Sequence, residues 1–436
     1  MAWMCLCVLL RELWCIGNVL VSSNEQSMQP PRREQFLARI PVWCLAVVAR
    51  VLTKLYGESW LATRPELVVA HNSFRRLVDG VHMRRNGFSP YEGDMLHCAP
   101  MLLDIIGPLV DQSNVVFAIF MVFDLIIAEL LRKIASLYVE NNERVEKSKV
   151  EQICSLVEKF YLFNPLVIAT CAICSLSVVY NLLITVFLLS FVKGWLIGSA
   201  VLCGLLVELT LYPVVFIFAL VVRFVTVKEK AIVCLLTLLS VGAFTLLDIL
   251  CSHGVQYVTS THLFFLNAAD LTPNVGIFWY FFTEVFTHFR LFFLWVFQLN
   301  VFVYLFPLTF TLRKSPVLLL HQLLILISVF ASYPTMADSA LYLSLLPIFV
   351  SLHKYARWTL VIAVSWVTCV VLSPVMWQMW IVTGSGNANF YFAVTLCYSM
   401  AQIFLMTDLL YSHLREKAAE ERGSIAYDDT SLFVFK

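Results

Sequence analysis

The sequence predicts an all-α, polytopic membrane protein, and two observations carry that prediction. Hydrophobic residues occupy 60% of the 436 positions and charged residues only 14%, whereas a soluble domain is roughly half apolar and a quarter charged. Many apolar runs also reach the roughly 20 residues that a helix needs to cross a bilayer. The net charge is +1, and no basic stripe or recognisable module indicates binding to nucleic acid.

The distribution of basic residues predicts how the apolar runs are oriented. Short loops rich in Lys and Arg face the cytosol, and placing the basic clusters on one side gives about 12 transmembrane helices with both termini in the cytosol. The apolar stretch 98–110 is too short to span, so we expect it to be re-entrant or interfacial. The predicted spans are 38–55, 113–131, 152–163, 166–192, 195–210, 213–227, 231–252, 291–312, 315–332, 339–352, 357–380 and 390–411.

The chain divides into three parts by composition. Residues 1–35 combine an interrupted apolar run with a polar linker and are predicted to be a poorly ordered N-terminal extension. Residues 36–415 form the multi-spanning domain, in which the long loop 56–98 is expected to face the lumen. Residues 416–436 are polar and charged and read as a cytosolic C-terminal tail.

The most informative segment is Asp270–Phe293, DLTPNVGIFWYFFTEVFTHFRLFF, which starts with a polar turn and continues as an aromatic helix. Charges at membrane depth cost roughly 2.5–3.5 kcal/mol each, so Glu284 and His288 are functional candidates. Alternatively, their spacing of four would let them satisfy each other on one helix face. Asp270 and Asn274 flank Thr-Pro, which favours local turn bonds over contact with a ligand.

Loop 56–98 ends in Ser89-Pro90-Tyr91 and leads into a helix that begins with proline. This resembles the first lumenal loop of the GPI mannosyltransferases, which belong to the multi-spanning class that uses dolichol-phosphate sugars. That resemblance implies an acidic pair upstream, yet the stretch Leu67–Val78 contains no acid. Attack by a sugar hydroxyl needs a base, and His71 is the remaining candidate. An active lumenal glycosyltransferase acting on a GPI-like lipid is therefore the alternative function.

The Asp270 segment, Ser332-Tyr-Pro-Thr335 and the Gly384–Phe390 stretch GSGNANF together resemble the phosphatidylinositol-glycan class U family, the polytopic subunit of GPI transamidase. The resemblance runs from about residue 36 to 415. It implies a fold like that of the GT-C glycosyltransferases without their acidic active site. It also implies a non-catalytic subunit in the endoplasmic reticulum membrane, whose partners are the GPI lipid, phospholipids and other subunits, including a cysteine-protease-like catalytic one.

The best candidates for binding GPI are Asn387 and Asn389, because amides both donate to and accept from sugar hydroxyls and phosphate. Further candidates for the same role are Asp270, Asn274, Glu284 and His288. One of them could instead cap the helix that follows. The aromatic run Phe278–Phe306 could line an acyl groove or simply pack in lipid. Lys228 and Lys230 suit anionic head groups on the cytosolic side. We expect no catalytic residue, metal or cofactor in this chain.

Overall fold

The computed structural model describes residues 32–140, 147–252 and 254–421, and every regular element in these ranges is helical. The predicted all-α fold is confirmed, whereas most of the N-terminal extension and of the C-terminal tail lies outside the described residues. The first ten α-helices are α1 (Arg32–Leu61), α2 (Phe74–Arg85), α3 (Pro100–Ile106), α4 (Ser113–Glu140), α5 (Lys147–Leu162), α6 (Pro165–Ala172), α7 (Ser177–Lys193), α8 (Leu196–Thr210), α9 (Phe216–Arg223) and α10 (Val227–Ser252). The others are α11 (Gln256–Val258), α12 (Phe264–Asn267), α13 (Phe278–Glu284), α14 (Arg290–Thr311), α15 (Pro316–Phe330), α16 (Ser339–Leu345), α17 (Val350–His353), α18 (Thr359–Trp377) and α19 (Ala388–Glu421).

In the described part of the chain, seven helices are long and apolar enough to cross a membrane. An eighth crossing is possible through the pair α5 and α6, which is bent by 45°. Other predicted spans correspond to helices of 10–17 residues, so the count of about 12 and the GT-C-like arrangement stay predictions. The seven helices are Arg39–Leu61, Ser113–Glu140, Val227–Cys251, Thr287–Thr311, Met336–His353, Thr359–Val382 and Ala388–Glu421.

The prediction of one continuous span over 166–192 is wrong, because the chain breaks between α6 and α7. Cys174 at the break has a φ of 53°, a left-handed conformation that interrupts a helix. Asn72, a residue of a distant loop, bonds to one backbone group and one side chain at the start of the next helix. Its carbonyl accepts from Leu176 N at 3.0 Å, and its side-chain amide donates to Ser177 Oγ at 3.0 Å.

A fully buried ion pair joins the first membrane helix to the next two. Arg50 Nε on α1 donates to Asp124 Oδ2 on α4 at 2.8 Å, and both side chains have no exposed surface. The Tyr161 hydroxyl on α5 donates to the other carboxylate oxygen at 3.1 Å, and Arg50 Nη1 donates to the Leu162 carbonyl at 3.0 Å. Since a buried charge is tolerated only when it is paired and hydrogen-bonded, this network fixes how the three helices pack.

The loop after α1 is folded against distant segments. α1 continues to Leu61, so the predicted loop 56–98 begins later than expected, and it contains helix α2. The Glu66 carbonyl accepts from Met336 N at 2.9 Å, and Arg76 on α2 lies 3.3 Å from Asp270. The loop therefore lies directly against the segment that begins at Asp270.

Candidate lipid-binding site

The polar turn of the Asp270 segment is held by local hydrogen bonds, as its residue pattern predicts. Asp270 Oδ1 accepts from Thr272 N at 2.8 Å, and Asn274 Oδ1 accepts from Gly276 N at 2.7 Å. Asn274 is buried, and Asp270 is further fixed through its backbone N–H, which donates to the Tyr333 hydroxyl at 2.9 Å. Both residues therefore shape and dock the turn, and contact with a ligand stays a prediction for them.

Glu284 and His288 do not share a helix face, so the interpretation that they satisfy each other there is wrong. Helix α13 ends at Glu284, because Val285 and Phe286 are extended, each with a ψ of 139°. His288 follows in a separate 3-10 turn. This extended stretch removes the helical register that would align residues four apart, and both side chains are exposed.

The two candidate asparagines lie on an exposed turn that starts helix α19. Asn387 Oδ1 accepts from Asn389 N at 3.1 Å, which is the geometry of a helix cap. Asn389 Oδ1 instead accepts from the Tyr280 hydroxyl on α13 at 2.6 Å. Gly384 precedes them with a φ of 63°, a conformation that glycine adopts at little cost. Asn387 therefore caps helix α19, whereas the amide nitrogen of Asn389 is left for a ligand.

Aromatic rings bind this turn to the Asp270 segment. Tyr280 stacks on Phe392 with ring centroids 4.1 Å apart, and Trp279 contacts Trp380 and Tyr391 at 6.1 Å and 6.2 Å. Stacked aromatic pairs stabilise packing by roughly 0.5–1.5 kcal/mol each beyond the area that they bury. Two motifs more than 100 residues apart in the chain, as Tyr280 and Asn389 show, thus form one surface.

An apolar cavity of about 640 Å³ lies beside this turn. Its wall includes Gln378 and Met379, and the Met379 carbonyl accepts from Gly386 N in the asparagine turn at 3.0 Å. The volume falls within the roughly 300–1,000 Å³ of typical ligand sites. Its other lining residues come from the end of α1, the loop after it, α6, Met336 and α18, and none belongs to the aromatic run Phe278–Phe306.

The first part of that aromatic run packs into a buried cluster, whereas Phe286, Phe292 and Trp295 further along it are exposed. Phe278 and Phe282 lie in one cluster with Leu294, and Phe281 and Phe297 have ring centroids 4.6 Å apart. Packing was the alternative that the sequence left open for this run. The cavity is a candidate for holding an acyl chain, and a groove lined by the exposed rings of the run stays a prediction.

Lys228 and Lys230 lie apart from this site, in the first turn of α10. That turn is closed by reciprocal bonds between Thr226 and Glu229, each 3.2 Å long, which is the capping-box arrangement. Lys228 is exposed. Neither lysine lines the cavity, so their contact with anionic lipids stays a separate prediction.

Known proteins identify the family of this chain. The sequence model of the family described as GPI transamidase subunit PIG-U matches residues 44–398. The chain belongs to the PIG-U family. It is 32% identical over 405 residues to the GPI-anchor transamidase component PIGU of Cricetulus griseus, covering 86% of this chain and 93% of that protein. Its identity to the human PIGU component is 31% over 408 residues, covering 86% of this chain and 94% of that protein.

A more distant relative is the GPI transamidase component GAB1 of Saccharomyces cerevisiae, 28% identical over 347 residues, covering 79% of this chain and 85% of that protein. Family and relatives together support a subunit of the GPI transamidase complex. They give no support to the glycosyltransferase alternative. His71 also suits that alternative poorly, because burial lowers its pKa to about 3 and makes the imidazole a weak base.

Sequence reasoning missed the polar residues of the cavity. Arg64 and Glu66 line it and are 5% and 3% exposed, yet charged residues directly after an apolar run are the usual sign of a solvated loop. Only the contacts of the folded loop show that they are buried. Trp366 also lines the cavity, and nothing in its sequence context distinguishes it from other apolar positions of α18.

Proposed function

We propose that this chain is the non-catalytic subunit of GPI transamidase that binds the GPI lipid and presents it for attachment to precursor C-termini in the endoplasmic reticulum. The observation that carries the proposal is the juxtaposition of the asparagine turn with the apolar cavity, joined through Gly386 and Met379. GPI is a glycan attached to a lipid with acyl chains. Its recognition therefore needs exposed side chains that hydrogen-bond to sugar hydroxyls, next to an apolar cavity for an acyl chain. This region of the molecule offers both.

The amide of Asn389 is the central contact in this proposal. Its oxygen is held by the Tyr280 hydroxyl, and its side chain is exposed, so the Nδ2 group can donate to a sugar hydroxyl or a phosphate oxygen. Asn387 keeps the turn in place through its cap and also presents an exposed amide. The aromatic contacts between α13 and α19 then orient both amides before the ligand arrives, which reduces the entropy lost on binding.

Transamidation itself needs an activated nucleophile, and we assign that group to a cysteine-protease-like partner subunit. The chain's partners in this scheme are that subunit, the other subunits of the complex, the GPI lipid and surrounding phospholipids. No cofactor enters the role proposed for this chain.

The proposal is tested with the double variant Asn387→Ser, Asn389→Leu. Serine keeps a side chain that can cap α19, so the loss of amide contacts is separated from unfolding of the turn. The matched control is Thr407→Leu, an exposed position on the same helix. Complex recovery, GPI retained on the purified complex and surface display of a GPI-anchored reporter are measured at equal expression.

We expect full complex recovery for both variants, with GPI retention and reporter display reduced only in the asparagine variant. Loss of two amide contacts, each worth roughly 0.5–1.5 kcal/mol, predicts a decrease of about fivefold to more than a hundredfold in GPI affinity. Unchanged retention and display in the asparagine variant would overturn the assignment.

A further inference from the structure

Two buried ionisable side chains that line the apolar cavity keep polar atoms without a hydrogen-bond partner. Within the described residues, Arg64 Nε and Nη1 and both carboxylate oxygens of Glu66 are buried and make no hydrogen bond. Both residues line the cavity. The cost of burying an unpaired charge is several kcal/mol. The unpaired atoms of Arg64 and Glu66 therefore indicate a site that binds complementary groups.

The backbone around these residues is held firmly. Val68 N donates to the Arg64 carbonyl at 3.0 Å, and Met336 N donates to the Glu66 carbonyl at 2.9 Å. The Arg64 guanidinium lies over the Trp60 ring at 4.7 Å, which favours a cation on the ring face, and its Nη2 donates to Thr63 Oγ1 at 3.3 Å. These contacts position the guanidinium while leaving two of its nitrogens, Nε and Nη1, for a ligand.

Within the described part of the chain, neither carboxylate oxygen of Glu66 accepts a hydrogen bond from Arg64, although the two residues are two positions apart and line the same space. The carboxyl group of Glu66 interacts with the Arg64 charge and with the Tyr391 hydroxyl, each of which favours the ionised form, and that hydroxyl is itself buried without a hydrogen-bond partner among the described residues. Burial raises the pKa of Glu66 to about 7. Neither of its oxygens has a hydrogen-bond donor within the described residues, so they can accept from a hydroxyl or amine that enters the cavity.

The remainder of the wall is suited to an acyl chain. Apolar side chains of α1, α6 and α18 form most of it, among them Leu61, Leu166, Val367, Val370 and Pro374. An acyl chain fits such a wall, whereas a wholly polar ligand would lose its hydration there without replacement. The occupant must therefore combine a long apolar part with an anionic group for Arg64 and a donor for Glu66.

We propose that this cavity is a lipid subsite that takes one acyl chain, with Arg64 on a phosphate of the head group and Glu66 on a hydroxyl or amine of the same head group. Arginine suits a phosphate because several N–H groups can donate to its oxygens at once. A free fatty acid would leave Glu66 without a donor. The subsite deepens the proposed function and rests on it, because that function already assigns the apolar part of GPI to this cavity. A membrane phospholipid carries the same phosphate and acyl chemistry, so the experiment must separate the two sources.

The test uses the intact complex purified in mild detergent, and it measures tightly bound lipids by native mass spectrometry. Arg64→Gln removes the phosphate contact, and Val370→Phe fills the cavity while keeping both charges. Arg84→Gln is the matched control, because Arg84 is an exposed arginine that pairs with Asp104 on the neighbouring α3. Arg64→Lys retains a positive charge and tests whether a loss comes from charge or from folding.

We expect one retained phosphate-bearing lipid per wild-type complex, a loss of about tenfold or more in Arg64→Gln and in Val370→Phe, and no change in Arg84→Gln. Arg64→Lys should recover part of the occupancy. Equal lipid retention in all variants with intact complex, or a wild-type complex without such a lipid, would overturn the proposal. Recovery of an adventitious detergent molecule only would overturn it as well.

The source of the lipid is decided in cells that cannot make GPI. A phospholipid that persists there, and also persists in the Asn387→Ser, Asn389→Leu variant, assigns the subsite to membrane phospholipid. A lipid that disappears in those cells and carries a glycan assigns it to GPI. Failure of the asparagine test with retention of the Arg64-dependent lipid would refute the glycan contact and leave the subsite standing. Loss of GPI in the asparagine variant from a complex that holds no Arg64-dependent lipid would refute the subsite alone, so the two failures are distinguishable.

Discussion

Removing one member of the buried ion pair between α1 and α4 should destabilise this protein strongly. Arg50 and Asp124 are fully buried at 2.8 Å, so Asp124→Leu would leave a guanidinium with only the carbonyls of Ala46 and Leu162. It would also remove the acceptor of the Tyr161 hydroxyl. Breaking a buried pair in this way costs about 3–5 kcal/mol, which is a large part of the stability of a typical domain.

The double variant Arg50→Met, Asp124→Leu should regain most of that loss, because replacing both ions with apolar groups is often nearly neutral. The assay is the melting temperature of the detergent-purified complex, followed by size-exclusion chromatography. The exposed pair Arg85 and Asp111 supplies the control, for which Asp111→Leu should leave the melting temperature unchanged. A single variant as stable as wild type, or a double variant no better than the single one, would refute the reasoning.

Three further predictions concern the site and its surroundings. Burial raises the pKa of Glu66 from 4.5 to about 7, so the folded chain holds this proton more tightly than the unfolded chain and loses stability as the pH rises between these values. Glu66→Gln should therefore raise the melting temperature of the lipid-stripped complex at pH 8 but not at pH 5. An equal effect at both pH values would contradict this argument. Gly384→Ala should strain the turn by about 1–2 kcal/mol and lower GPI retention. The control Gly242→Ala, in a helix with open space around it, should cause no loss of GPI retention. Equal retention in both variants would show that GPI binding does not depend on the left-handed turn. Glu284→Gln should keep both complex recovery and reporter display, since Glu284 is exposed at the end of α13, and loss of transfer by an intact complex would assign it a role in the chemistry.

The sequence was sufficient for the fold class, because hydropathy over windows of about 20 residues reports directly on membrane insertion. The sequence was not sufficient to predict where a helix is interrupted inside an apolar run. The interruption at Cys174 depends on hydrogen bonds from Asn72, a partner about 100 residues away. The separation of Glu284 from His288 depends on two extended residues whose types are common in helices as well as in strands.

For the site, local interactions could be predicted from the sequence and interactions between distant residues could not. The turn at Asp270 and the cap at Asn387 are local, involving partners two residues away, and residue type predicts such bonds well. The bond from Tyr280 to Asn389 and the burial of Arg64 and Glu66 arise from tertiary packing. No local pattern distinguishes a buried charge in a folded loop from a solvated one.

The loop after α1 also has a consequence for the order in which this protein can be completed during synthesis. Its contacts reach forward to Ser177, Asp270 and Met336, all of which leave the ribosome long after the loop itself. Chains fold as they are synthesised, from the N-terminus onward, so the loop must wait until more than three quarters of the chain exists. We expect nascent or truncated chains that end before Met336 to expose Arg64 and Glu66. Quality-control chaperones could then recognise an incomplete chain by this exposed loop.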